Sequence, residues 1–204
     1  MKTRAPILSL GLLLAIAAPA LSQGAPDGTR APLHYRITQQ GSVLRWELPA
    51  TAHTVRGAVG TYTGTIDAEP SADGGWAIRS RIVVTADSMT TGSRRRDRTM
   101  RQKTLETGRF PEIVFESTNI DAELSRFKAG AQLTATVSGD LTVHGKTVPV
   151  QFPVDAHVFN DHVVLAGSFP IHWKEFGLDD PSFGVVRVRE PMNVAFRLRA
   201  VPAP

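Results

Sequence analysis

The sequence contains no cysteine. That absence excludes disulfide frameworks, thiolate zinc sites, iron–sulfur clusters and cysteine nucleophiles. A chain of 204 residues without such staples must bury a hydrophobic core, and it is long enough to do so as one domain. Catalytic signatures are missing too. There is no Gly-x-Ser-x-Gly elbow, no His-Glu-x-x-His pair and no glycine-rich phosphate loop. The 17 Gly and 14 Pro follow no period, which excludes a collagen-like chain. What is present is an ordinary globular balance: 42% hydrophobic, 21% charged, with a net charge of +4. That balance excludes a wholly disordered chain.

The first segment reads as an address. Lys2 and Arg4 precede an apolar run from Pro6 to Ala18, and small residues follow through Ala20 and Ser22. This is the order of a secretory signal peptide over residues 1–22, with cleavage after Ala20 or Ser22. The apolar run falls short of the roughly 20 residues that span a bilayer. The expectation is therefore an exported protein, periplasmic or secreted. Residues 23–32 read as a flexible lead-in, and 33–202 as the domain.

Strands dominate that domain, because apolar and polar residues alternate with the period of two that places them on opposite faces. In 76–86, Trp76, Ile78, Ser80, Ile82, Val84 and Ala86 share a face. In 132–143 the apolar face carries Leu133, Ala135, Val137, Leu141 and Val143. In 147–158 it carries Val148, Val150, Phe152, Val154, Ala156 and Val158, and in 192–200 Met192, Val194, Phe196, Leu198 and Ala200. Weaker runs at 34–48, 55–67, 112–120 and 162–171 bring the expectation to about eight strands. Turn residues at 71–75, 145–146 and 160–161 separate them as consecutive hairpins. An antiparallel meander of this kind buries its edges by closing into a barrel, with a sandwich as the alternative. Pro149 and Pro153 interrupt one of the best runs and require a bulge, a strand end or a break in pairing. Residues 87–109 lack the alternation, and Ser93 is placed to cap a short helix over about 94–104.

Three motifs in order resemble one family. Arg96-Asp97 followed by Arg109-Phe110-Pro111-Glu112-Ile113-Val114-Phe115-Glu116-Ser117-Thr118 resembles the helix opening and the "PxIxFxST" strand of YceI-like proteins. Gly139-Asp140-Leu141-Thr142-Val143-His144-Gly145 resembles their "GxLTIxG" hairpin, and Phe176-Gly177-Leu178 their "FGL" turn. The likeness spans about 34–200. It departs from the pattern at Gly41-Ser42, where a His-Ser pair is usual, and at Trp173-Lys174, where an Arg is. The resemblance implies an eight-stranded antiparallel lipocalin-like β-barrel with a short helix. It further implies a non-enzymatic, exported protein that holds a polyisoprenoid, quinone or related amphiphile in an interior tunnel.

On that reading the tunnel wall draws on the inward strand faces: Ile82, Val84, Val137, Phe152 and Phe196. Met100 of the helix joins them. The aromatic groups beside the helix and the "FGL" turn complete the wall: Phe110 and Phe115, then Phe169, Trp173 and Phe176. Small residues such as Ala135, Gly139, Ala156 and Gly167 either leave a channel or fit the barrel's taper. Arg96, Asp97 and Arg101 are candidates for contact with a polar head group, against a purely structural pairing of Arg96 and Asp97. The cluster Arg94-Arg95-Arg96-Arg98-Arg101-Lys103 lacks interleaved aromatics, so a solvated face or transient contact with a membrane surface fits it better than nucleic acid. No metal or cofactor other than a lipid is expected, since the six histidines show no ligand spacing. The alternatives are a protein-interaction module with a filled core, or an enzyme using Ser80, Ser117, Asp97 or His172.

Overall fold

A computed structural model describes residues 30–51, 53–72, 74–182 and 186–203. The expected signal peptide, and the lead-in up to residue 29, lie outside the described residues. Ten antiparallel strands follow in order: β1 (Leu33–Leu48), β2 (Val55–Val59), β3 (Tyr62–Pro70), β4 (Trp76–Thr85), β5 (Met89–Thr90), β6 (Glu112–Asp121), β7 (Gln132–Val143), β8 (Lys146–Val158), β9 (Val163–Ile171) and β10 (Met192–Pro202). Eight of them form the wall in the order β1-β3-β4-β6-β7-β8-β9-β10, and β10 pairs back onto β1 to close the barrel. Closure joins the two outer edges of the sheet to each other and leaves β8 before Val154 as the stretch with one partner. The two extra strands sit at one end, where β2 pairs the last residues of β1 and β5 pairs β2.

Three interruptions give the weaker sequence runs their blurred pattern. In β1 the register against β10 shifts between Thr38 and Val43. Before the shift the inward residues are Leu33, Tyr35 and Ile37; after it they are Leu44, Trp46 and Leu48. A bulge reverses the parity, so both halves face the interior. Gly41 supplies the left-handed backbone that the bulge needs, at φ +80°. Ser42 closes it, its hydroxyl accepting the Arg199 N–H at 2.7 Å and donating to the Thr38 carbonyl. A second shift in β6, between Ser117 and Asn119, lets Ile113 and Phe115 share the interior with Ile120. Here the Ser117 hydroxyl accepts the Ser80 N–H at 2.7 Å, at the end of the β4–β6 ladder. The third is the gap between β2 and β3. Gly60 donates to the Ser88 carbonyl at 3.1 Å and the Thr61 N–H to the Ser88 hydroxyl at 2.9 Å.

Pro149 and Pro153 sit inside an unbroken β8, opposite Asp140 and Thr136 of β7. The ladder from β8 to β9 begins only at Val154. Both prolines therefore lie where β8 has a single partner, and the missing N–H groups cost no ladder bond on the open side.

The segment between β4 and β6 crosses one end of the barrel. Helix α1 (Arg94–Thr99) continues into a π-helical turn over Met100–Thr104. Ser93 occupies the N-cap position, but its side chain makes no capping bond. Asp97, 8% exposed, organises this end instead. Its carboxylate accepts the Thr90 hydroxyl at 2.7 Å, the Thr91 N–H at 2.7 Å and the Thr91 hydroxyl at 2.6 Å. Burial opposes the charge, yet these bonds and the Arg101 guanidinium outweigh it and hold the carboxyl below its ordinary range.

Candidate functional site

The alternation that builds the strands also sorts polar from apolar across the wall. Val43 and Phe159 are the large hydrophobics exposed among the described residues. Arg36, Thr65, Arg81, Glu116 and Asp140 run across the outer face of adjacent strands. The apolar residues turn inward and surround a cavity of about 1150 Å³. This is the inverse of a transmembrane barrel, whose outer band is apolar. No described helix is long and apolar enough to cross a membrane.

Large side chains line the cavity without filling it because of what faces them. Gly57 pairs with Trp46, Gly64 with Ile82 and Gly167 with Phe196. A Cβ at Gly57 would stand 2.2 Å from the Trp46 ring, and one at Gly167 would stand 2.7 Å from the Phe196 ring. At Gly139 it would stand 2.6 Å from the Phe115 ring. Each glycine seats a large group close against the sheet. The sequence offered Gly139 and Gly167 as small residues that either open a channel or fit the taper. In the structure neither is part of the cavity lining, while Ala135 and Ala156 are.

Four phenylalanines form the middle of the wall. Phe152 stacks on Phe169 with centroids 4.3 Å apart and planes at 12°. Phe115 lies at 5.5 Å and Phe196 meets Phe152 edge-on at 5.9 Å. Such pairs contribute ~0.5–1.5 kcal/mol each beyond their buried area, so they hold the wall's shape without a polar anchor. At the other end Tyr35 and Phe127 meet edge-on at 6.2 Å, beside the short turn over Leu124–Arg126. Burial raises the Tyr35 hydroxyl above its ordinary value.

Among the expected wall residues, Ile82, Val84, Val137, Phe152 and Phe196 line the cavity from the strands. Phe115 and Phe169 line it too, as do Met100, Trp173 and Phe176 at the end crossed by α1. Phe110 lies elsewhere. Its ring packs on His144 at 4.3 Å and against Gly145, outside the cavity, with the Arg109 guanidinium 5.1 Å above it. Of the three expected polar contacts, Arg96 reaches the cavity rim and donates to the Thr91 hydroxyl at 3.2 Å and carbonyl at 3.3 Å. Asp97 is taken up by the two threonines and does not pair with Arg96. Arg101 turns away, donating to the Met89 carbonyl at 3.0 Å and lying 3.6 Å from Asp87.

Sequence reasoning missed part of the lining. His53 and the loop Asp179–Ser182 line the cavity as well. Asp180 accepts the Ser182 N–H at 2.9 Å, and the Ser182 hydrogen bonds hold its carboxyl below the ordinary range. These residues lie in turn sequence, which has no period to give them away. Polar groups thus gather at the rim, while along β4 the wall itself carries one hydroxyl, Ser80, between Ile78 and Ile82. Among the described residues no three His, Asp or Glu side chains gather where they would hold a metal ion.

Comparisons with known proteins agree with this architecture. A polyisoprenoid binding domain from Saccharophagus degradans, implicated in plant cell wall breakdown, superposes with a TM-score of 0.69 at 17% identity, covering 84% of this chain and 99% of that one. BcnA of Burkholderia cenocepacia gives 0.66 at 19% identity, over 81% of this chain and 99% of its own. The Campylobacter jejuni YCEI protein gives 0.52 at 12% identity, over 74% and 85%. At these identities the likeness is one of fold. No curated protein matched the sequence significantly. The family model of the YceI-like domain matches residues 35–200, most of the chain and all but the ends of the barrel, and the chain belongs to that family.

Proposed function

We propose that this protein binds one long apolar ligand, a polyisoprenoid, quinone or related amphiphile, inside the barrel, and sequesters or carries it outside the cytoplasm. The observation that carries the reading is the hollow bore. At about 1150 Å³ it exceeds the roughly 300–1,000 Å³ of pockets for drug-sized molecules. Its wall is apolar from the Phe115–Phe152–Phe169–Phe196 cluster to Tyr35 and Phe127. Burying chain contributes ~0.8 kcal/mol per methylene, so a prenyl tail needs no polar contact within the wall. Ordering the tail offsets part of that gain. The polar rim suits a head group left at the opening.

The similarity to a polyisoprenoid binding domain supports the same class of ligand. The signal-like residues 1–22 support export to the periplasm or beyond. A binding role is favoured over catalysis because the polar residues do not converge. Ser117 bonds the Ser80 backbone, Asp97 is bound to two threonines, and His172 is exposed.

Uptake of a fluorescent prenyl probe tests the reading. The purified protein, stripped of lipid in mild denaturant and refolded, is expected to take up about one probe per barrel. The Ala156→Phe variant, which puts a ring into the bore, is expected to take up at least roughly tenfold less. Failure of the refolded wild-type barrel to bind the probe would overturn the proposal.

A further inference from the structure

Charge is distributed unevenly around this barrel. Residues 86–109, which supply α1 and the cavity-lining Met89, Met100 and Leu105, carry seven Arg and Lys against three Asp and Glu. Residues 110–161, which make the β6–β7–β8 side, carry the reverse, three against seven. A molecule with small net charge therefore has a cationic end and an acidic flank. Such a distribution orients it in the field of a charged surface.

All three acids of the cationic segment are already occupied. Asp97 is buried among Thr90 and Thr91. Asp87 lies 3.6 Å from Arg101 and accepts the Thr107 hydroxyl at 3.2 Å. Glu106 meets His144 at 2.7 Å and Arg109 at 3.2 Å. The outer cations Arg94 and Arg98 are exposed and lie outside the cavity lining, while Lys103 is exposed at the rim. Met100, between them in sequence, is half-buried and lines the cavity along with Thr99 and Thr104. One short stretch of chain thus carries the outward positive charge and the inner lip of the bore.

We propose that the outer face of residues 94–103 is a docking surface for an anionic lipid bilayer, which sets the barrel mouth against the membrane. The cations attract the negative surface potential, and the attraction weakens within a Debye length, so docking is reversible and salt-sensitive. The consequence for cargo, which rests on the ligand reading above, is a transfer route. A tail leaving beside α1 enters the bilayer without first exposing its length to water. A nucleic acid would meet the same cations, but no aromatic side chain interleaves with them to stack on bases.

Vesicle sedimentation with the purified protein decides it. At low salt the protein is expected to pellet with vesicles of phosphatidylcholine containing about one-third phosphatidylglycerol, and to remain in solution with phosphatidylcholine alone. Physiological salt should weaken the binding. The variant R94Q/R98Q, which changes two residues outside the cavity wall, is expected to lower the partition constant about tenfold, and R94E/R98E by about a hundredfold. Both variants should keep the wild-type melting curve and the wild-type uptake of prenyl probe in vesicle-free solution. Equal binding to both vesicle types, or no response to R94E/R98E, would overturn the proposal. So would tighter retention on duplex DNA than on the anionic vesicles at the same ionic strength. The vesicle assay needs no cargo. A protein that pellets with anionic vesicles but takes up no probe would leave docking intact and remove the ligand reading.

Discussion

Along β4, from Ile78 to Val84, every second side chain turns into the bore and, Ser80 apart, is apolar. A few residues further on, from Arg94 to Lys103, the chain has no such alternation: Arg94 and Arg98 are exposed outside the cavity, Arg95, Arg96 and Lys103 line its rim, and Asp97 is buried. The wall is specified by a long-range ladder in which most residues have a neighbour on both sides, the stretch of β8 before Val154 apart. The segment across the mouth depends on a local knot, the carboxylate of Asp97 among Thr90 and Thr91. A residue bonded in a ladder on both sides opens only when its neighbours open with it. A segment held by a few polar bonds can open alone, which is the behaviour expected of the movable side of a binding site.

The largest effect should come from breaking the wall at its aromatic centre. Phe152→Ala removes a ring packed against Phe115, Phe169 and Phe196 and is expected to cost about 3–4 kcal/mol in denaturant unfolding. Breaking the knot should cost less and act locally. Asp97→Ala loses three short hydrogen bonds to a charged acceptor, about 2–3 kcal/mol, and leaves their donors unpaired. Amide exchange should then accelerate over residues 89–104 while protection of β7 and β8 holds. Uniform acceleration throughout the barrel would remove the distinction between the two regions.

Gly167→Val tests how the wall stays clear. Its Cβ would lie 2.7 Å from the Phe196 ring and 2.8 Å from the Pro153 carbonyl, so the ring must turn into the bore. We expect a loss of about 2 kcal/mol together with weaker uptake of a prenyl probe. Ala156→Phe sharpens the same point from inside. In a hollow barrel the new ring has room, and the cost should stay below about 1 kcal/mol, whereas overpacking a filled core costs about 1–3 kcal/mol.

Acid should have the smallest effect at working pH. The Asp97 carboxyl is held below its unfolded value, so its contribution is fully present above the unfolded pKa and is lost as pH falls through the folded one. Glu106 behaves in the same direction, its carboxyl lowered by the hydrogen bonds from His144 and Arg109. The mouth segment should therefore loosen only below about pH 4, before the wall unfolds. Loosening between pH 6 and 8 instead, monitored by exchange over 89–109, would contradict this assignment.

The wall was legible in the sequence where the ladder is unbroken. The inward faces read from 132–143 and 192–200 face the cavity, as does the face read from 76–86 over Ile78–Val84, though not at its ends Trp76 and Ala86, because two-residue periodicity and a single register leave no alternative. It blurred at 34–48, 55–67 and 112–120 for one shared reason. Each contains a parity reversal, at 39–42, at Gly60–Thr61 and at Ser117–Asn119, whose stabilising partner is far along the chain: Arg199, Ser88 and Ser80. The mouth was legible as a break in pattern and as a helix over 94–104, but its contacts were not. Nothing in the spacing of Arg96 and Asp97 says that both attach to Thr91. Phe110 looked like its neighbour Phe115, yet it follows the π-helical turn and is claimed by His144 from the β7–β8 hairpin.

Native mass spectrometry of the protein purified without detergent tests the central claim most directly. The account expects a population heavier than the polypeptide by one lipid molecule, which reverts to the bare mass on denaturation and yields that lipid in the extract. A bare mass in the native spectrum, unchanged after incubation with prenyl lipids, would contradict it.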